Sequence, residues 1–307
     1  TSFRHYVFSR RNNNLLFIHF LKIHLNYYII NKYACKIFVS RKGWFCNLAC
    51  WRYMREYYPV KLVKVAELDP ARNYLFACFP HGLAASGPFI SFGVNAAAFA
   101  TTFPGMTSHL ILLAGHFLFP FTRDILLNMG ACSSSEQSLT YLLDARKHKG
   151  KCVALMVGGA AEAMSSHPGE YKIVLSKRKG FIRIAMKTGS PLVPVVSFGE
   201  TDIYRVPKYP EDSWMWHIQE KIRNWFGFAP VFPVGRGIFQ YSYGVLPLRN
   251  PITVVVGKPM EVQKNLEPTA SEVDAVHAEF TQRLIDHFET QKQFYVKNHE
   301  GVHLVIM

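Results

Sequence analysis

The chain lacks the signatures of several large enzyme classes. No G-x-S-x-G occurs, which argues against a serine hydrolase built on a nucleophile elbow. Neither a G-x-G-x-x-G fingerprint nor a P-loop is present, so neither a dinucleotide site of the Rossmann type nor a nucleotide site of the Walker type is expected. The six cysteines (Cys35, Cys46, Cys50, Cys78, Cys132 and Cys152) form no C-x-x-C pair and show no zinc-ligand spacing. With no H-E-x-x-H either, no metal site is suggested. Acidic residues are few: 21 Asp and Glu stand against 35 Lys and Arg, for a net charge of +14. That balance suits nucleic acid, anionic lipid or a phosphorylated co-substrate. Zinc-finger spacing and RNP-like aromatic motifs are missing too, so nucleic acid is not an expected partner.

Long uninterrupted apolar runs are also absent, although hydrophobic residues make up 49% of the chain and mean hydropathy is +0.04. The run Leu15–Ile30 is broken by His19, Lys22, His24 and Asn26. A spanning helix needs about 20 mostly apolar residues, and each of these four is costly in hydrocarbon. Residues 1–42 therefore read as a divergent leader or membrane-associated segment, and 43–307 as one domain. A signal peptide fits poorly, because no small-residue cleavage site follows. The chain begins at Thr1 and its first methionine is Met54, the pattern of a fragment, a processed chain or an uncertain gene model. No N-x-S/T acceptor occurs, and Cys78 and Cys152 sit in strand-like runs; both lean towards a reducing, cytosol-facing side.

From Gly43 onward, short β-rich runs alternate with helical patterns. Tyr74–Phe79, Cys152–Val157, Pro191–Phe198 and Ile252–Gly257 are nearly continuous apolar runs, as in strands buried on both faces. Helices are expected over Glu136–His148, Lys179–Thr188 and Trp214–Phe226. A last one follows Thr269 and Glu272, which have capping-box spacing; after them Val273, Val276, Phe280, Leu284 and Phe288 recur at helical intervals. The alternation predicts an α/β fold with a mostly buried central sheet flanked by helices.

The sharpest local feature is Phe79-Pro80-His81-Gly82, at the end of the first buried strand. Pro80 and Gly82 bend the chain there and leave His81 at a strand's carboxyl end, where α/β sheets bind ligands. Histidine is the side chain best suited to proton transfer near neutral pH; the plainer alternative is a turn histidine bonded to nearby backbone. Gly158-Gly159-Ala-Ala-Glu162 follows the second strand. Its glycines allow close backbone approach to a ligand, and their N–H groups can face an anion. Glu162 would orient an imidazole or bind a substrate hydroxyl, or else stand as a solvated turn residue. Lys177-Arg178-Lys179, with Arg183 beyond, places cations at a helix start, against the helix dipole, which suits an anionic partner; the commoner alternative for a charge run is a solvated basic surface. Glu200 ends a third strand, and Arg236, between Gly235 and Gly237, is a further candidate for phosphate or carboxylate.

In order, these residues resemble the diacylglycerol acyltransferase type 2 and monoacylglycerol acyltransferase family. The likeness runs from Trp51-Arg-Tyr-Met-Arg-Glu-Tyr-Tyr-Pro-Val to about Gly301. It passes through Phe79-Pro-His-Gly, Val157-Gly-Gly-Ala-Ala-Glu, His167-Pro-Gly, Arg178-Lys-Gly-Phe, Leu192-Val-Pro-Val-Val-Ser-Phe-Gly-Glu, Gly227-Phe-Ala-Pro, Gly235-Arg-Gly-Ile-Phe and Val256-Gly-Lys-Pro. It implies an acyl-CoA-dependent O-acyltransferase acting on mono- or diacylglycerol in triacylglycerol synthesis. Acyl-CoA is then a co-substrate, no other cofactor is needed, and acylglycerol lipids and a membrane are the partners. The expected location is the endoplasmic reticulum membrane with the domain facing the cytosol, or the lipid droplet; the oligomeric state stays open.

The resemblance makes His81 the catalytic residue, with Pro80, Gly82, Gly158, Gly159, Arg178, Lys179, Arg183 and Arg236 as substrate-binding candidates. The family's usual motif is His-Pro-His-Gly, and Phe79 stands here in the first position. Distantly similar glycerol-phosphate acyltransferases place an aspartate five residues after the histidine, where this chain has Ser86. A carboxylate partner for His81 must then come from elsewhere, with Glu162 first and Glu200 second. Expected alternatives are a wax-alcohol or retinol-type acyltransferase and an inactive lipid-binding relative. The segment His109–Phe121 is a candidate tunnel wall or ordinary core.

Overall fold

Alternating side chains on buried strands need two apolar layers, one on each face of the sheet, and this chain builds both. The computed structural model describes residues 41–207, 210, 213–226, 231 and 233–307; all but the last two residues of the expected leader segment, and Gly227-Phe-Ala-Pro, lie outside them. The strands are Lys61–Lys64 (β1), Tyr74–Phe79 (β2), Thr107–Leu112 (β3), Cys132–Ser133 (β4), Lys151–Met156 (β5), Tyr171–Ile173 (β6), Leu192–Phe198 (β7), Thr253–Val256 (β8) and Leu304–Ile306 (β9). Seven form one sheet in the order β1-β8-β7-β2-β5-β3-β4. Its neighbours are parallel except β7 and β8. β6 and β9 make a separate parallel pair.

Every residue of β2 and β7 is buried, as their unbroken apolar runs require. Leu75, Ala77 and Phe79 of β2 join a core with Leu139, Phe181, Phe280 and Leu284 from three helices. Those helices are Glu136–Leu143, Gly180–Thr188 and Ala270–Tyr295. Tyr74, Phe76 and Cys78 point the other way, into a second core with Phe92, Phe99 and Phe103. The Phe76 and Phe92 rings meet edge to face at 5.6 Å.

The four expected strands and the capping box at Thr269 and Glu272 are present. The helix expected to run to His148 stops at Leu143. Asp144 is extended there (φ −65°, ψ 105°), and its carboxylate binds the backbone and side chain of Arg146, a local bond that competes with helix continuation. β7, β2 and β5 are parallel neighbours, so their carboxyl ends meet at one edge. The residues that follow them are Gly199-Glu200, Pro80-His81-Gly82 and Val157-Gly158-Gly159.

Candidate active site

His81 follows β2 across a cis Phe79–Pro80 bond. Its backbone N–H donates to Glu162 Oε2 at 2.5 Å, and its ring Nδ1 lies 3.0 Å from the Gly82 carbonyl oxygen. A carbonyl only accepts, so that contact fixes the ring proton on Nδ1 and leaves Nε2 basic. Burial lowers the imidazole's pKa, and His116 lowers it further, so the ring is neutral at physiological pH. Gly82 is left-handed (φ +59°), and a Cβ there would come within 2.6 Å of Glu200 Cγ. Only glycine makes this turn without displacing the glutamate.

Both candidate carboxylates are buried, and both grip backbone. Besides His81, Glu162 accepts the Val174 N–H at 2.8 Å. Glu200 accepts the N–H groups of Ser86 at 2.6 Å and Gly87 at 2.7 Å. Desolvation pushes each carboxyl up to about 7, opposed by these hydrogen bonds. Neither oxygen pair reaches the imidazole. The structure therefore places the expected ring partners as braces on either flank of the loop that carries His81. Gly158 makes room for the first brace, since a Cβ there would sit 2.2 Å from Glu162 Cδ. Ser86, where the aspartate of the related enzymes would fall, contributes its N–H to the second.

His81 lines a cavity of about 340 Å³ walled by Leu83, Phe89, Leu110, Ile111, Leu126 and Met156, with His116, Thr122 and Ser134. A second space of about 610 Å³ is lined by Ala160, Ala161, Lys177, Arg178, Lys179 and Phe181. Leu113, Ser134, Leu155, Met156 and Gly159 line both, so the two abut. The result is a trough that is apolar around His81 and basic at its far end. Gly159 is left-handed (φ +61°) with nothing within 4 Å of its Cβ position, so its backbone is open to a ligand. Arg178 reaches the Gly158 carbonyl at 3.3 Å, and Lys179 pairs with Asp274 at 2.7 Å.

The remaining candidates lie apart. Pro80 and Gly82 are buried in the turn and line neither space, and Arg183 is exposed on its helix. Arg236 donates to the Tyr57 hydroxyl at 2.8 Å and stacks on Tyr57 and Tyr241, so it ties its own loop to the helix Ala49–Tyr57. The segment His109–Phe121 divides. Leu110–Leu113 and His116 wall the cavity, His109 is buried against the Gly130 carbonyl, and Phe119 and Phe121 are exposed. His116 and Ser134 are site residues that the sequence does not single out. Only the position of His116 within the candidate tunnel wall points to it.

Residues 6–307 match the diacylglycerol acyltransferase family. The chain belongs to that family. It is 44% identical to 2-acylglycerol O-acyltransferase 3 of Homo sapiens over 82% of this chain and 74% of that protein. With 2-acylglycerol O-acyltransferase 1 of Bos taurus it shares 40% identity over 83% of this chain and 76% of that protein. With diacylglycerol O-acyltransferase 2 of Xenopus tropicalis the figures are 41%, 82% and 70%. Among solved structures, the 1-acyl-sn-glycerophosphate acyltransferase of Thermotoga maritima aligns with a TM-score of 0.40 at 12% identity, over 88% of this chain and 97% of that chain. Membership of the family bears out the resemblance read from the motifs, and makes the chain an acyltransferase.

Proposed function

We propose that this protein transfers a fatty acyl group from acyl-CoA to the free hydroxyl of a mono- or diacylglycerol, with His81 as general base. One observation carries the reading: a histidine with a free Nε2 lines an apolar cavity that abuts a basic groove. Acyl chains suit the first space, and the phosphates of CoA suit Lys177, Arg178 and Lys179 in the second. Nε2 removes the acceptor's hydroxyl proton as its oxygen attacks the thioester carbon. A positioned base contributes roughly 10²–10⁴-fold in rate. Negative charge gathers on the carbonyl oxygen, where the backbone N–H of Gly159, which lines both spaces, is the donor at hand; one such donor is worth about 3–4 kcal/mol. The CoA thiolate then departs. The relatives named 2-acylglycerol and diacylglycerol O-acyltransferase support both acceptors.

Membrane contact belongs to the same reading. Leu118, Phe119 and Phe121 are exposed beside the cavity residues Leu113 and Thr122, Phe121 by 85%. Trp214 and Ile218 are exposed on the helix Trp214–Phe226; the Trp225 side chain lies outside the described ones. Exposed apolar and aromatic groups such as these suit a lipid interface. Among the described residues no helix is long and apolar enough to cross a membrane. We place the protein at the endoplasmic reticulum membrane or lipid droplet, facing the cytosol, in triacylglycerol synthesis.

The inactive-relative reading rests on Phe79 and on the divergent amino-terminal segment, which lies almost wholly outside the described residues. The Phe79 side chain is fully buried in the core and lines neither space, so the substitution removes nothing from the cavity. The test uses the full chain in membranes of a yeast strain lacking its own neutral-lipid acyltransferases. Labelled oleoyl-CoA is supplied with monoacylglycerol, diacylglycerol or a long-chain alcohol, beside His81→Ala. Ester with an acylglycerol, lost in the variant, is the expected result. Ester only with the alcohol moves the assignment to wax synthesis, and none at all from folded protein moves it to lipid binding.

A further inference from the structure

The acyl transfer proposed above leaves a proton on His81, in a cavity with few places to send it. Leu83, Phe89, Leu110, Leu126 and Met156 carry no acidic or basic group, and Thr122 and Ser134 do not titrate near neutral pH. Both nearby glutamates have their oxygens occupied by backbone N–H groups. Of the described residues lining the cavity, only His81 and His116 carry a side chain that can take up a proton as a base. His116 stands on the turn Ala114–Phe117, is open to solvent on one side, and its ring has no hydrogen-bond partner among the described residues. The glutamates are committed to backbone; this ring is not.

Resting on the acyl-transfer reading, we propose that His116 takes the proton that His81 has removed from the acceptor hydroxyl and passes it out of the cavity. The O–H bond breaks as the N–H bond forms on His81 Nε2, and the oxygen closes on the thioester carbon. The C–S bond then breaks with its electron pair on sulfur. The proton moves from His81 to His116 and on to solvent, and the thiolate draws its own proton from solvent. Burial disfavours the charged form of both rings, and the charge of His116 disfavours that of His81, so the proton is not trapped on either. The helix Thr122–Asn128, whose Thr122 shares the cavity with His116, carries Arg123 and Asp124, and the abutting groove carries Lys177, Arg178 and Lys179; among the described residues no carboxylate lines the cavity itself.

The experiment compares full-length wild type, His116→Ala, His116→Gln and His81→Ala in the same membranes, at saturating acyl-CoA and acylglycerol. Turnover is read with and without added free imidazole, across a pH series. Both His116 variants should lose roughly tenfold or more in kcat with little change in KM. Imidazole should restore His116→Ala in proportion to its concentration and leave His81→Ala dead. Wild-type turnover in both His116 variants at every pH would overturn the proposal, and so would a loss that imidazole does not relieve in folded His116→Ala. No ester from the wild type would overturn the acyl-transfer reading itself, and this proposal with it, which separates the two failures.

Discussion

Two histidines sit beside cavities at opposite ends of the same sheet. His81 stands at the carboxyl end of β2. His287 lies near the start of β7, where β1 and β8 end, in a space of about 310 Å³ lined by Val65, Pro194, Lys258, Arg283, Asp286 and Thr290. Each ring bonds one backbone carbonyl, Gly82 at 3.0 Å and Val255 at 3.3 Å, and burial lowers both pKa values. A lowered pKa beside a strand end therefore does not single out the reactive one. The surroundings do. His81 rides on a loop braced from both sides by buried carboxylates and opens on an apolar cavity. His287 rides on the 26-residue helix Ala270–Tyr295 among charges already engaged with their neighbours: Arg283 with Glu279, and Asp286 with Gln282.

The largest effect should come from His81→Ala, with a fall in kcat of roughly 10²–10⁴-fold and an unchanged melting transition. In the wild type, activity should fall on the acid side as Nε2 becomes protonated. Because burial lowers this pKa, that limb should lie below the ordinary imidazole value of about 6.5. A limb above that value would mean that another group controls the rate.

Next in size are the braces. In Glu200→Gln or Glu162→Gln the side chain keeps one accepting oxygen and gains an amide that cannot accept. One of the two backbone N–H groups is then left unsatisfied, which costs about 1–3 kcal/mol and loosens the loop. The pH dependence has a definite sign. Each carboxyl binds its proton more tightly folded, at about 7, than at its ordinary value of 4.5. The stability this contributes is present below the ordinary value and is lost as pH rises through about 7. Thermal melting of the wild type should therefore fall between about pH 5 and pH 8, and the single variants should show a shallower slope. Identical slopes in all three would mean that these groups do not titrate as described.

Much of this contrast is legible in the amino-acid sequence alone. The unbroken apolar runs announce β2, β5, β7 and β8, and the Pro-His-Gly turn after β2 locates His81. The charge run at Lys177–Lys179 suggests an anion site, and it does line the groove. The roles of the glutamates are not legible. Whether Glu162 meets an imidazole or two backbone N–H groups depends on how β5 and β2 lie beside each other, and on where Val174 returns, which no local pattern encodes. The surroundings of Arg236 are not legible either, because glycines flanking a cation look alike in a phosphate loop and in a loop that packs its cation on tyrosines. His116 stays hidden because β3 and its following turn read as one apolar segment.

Smaller effects test the basic end of the trough. Arg178→Ala should raise KM for acyl-CoA by roughly fivefold, the size of an exposed ionic contact, with kcat nearly unchanged. The effect should shrink in high salt, because the side chain is largely solvent-exposed. A loss in kcat instead would mean that its bond to the Gly158 carbonyl matters more for shaping the turn than its charge does for binding.

The smallest expected effect closes the comparison. His287→Gln keeps a side-chain donor for the Val255 carbonyl, removes the imidazole, and should leave kcat, KM and the pH profile of ester formation as they were. The outcome has weight because His287 shares with His81 the features that a sequence or a titration would rank: a partly buried imidazole, one backbone bond and a cavity alongside. What it lacks is the apolar wall and the loop held by two carboxylates. If His287→Gln cut turnover as deeply as His81→Ala while the protein stayed folded, those two features would not be what makes a histidine catalytic in this fold, and the reaction centre would have to be sought at the other end of the sheet.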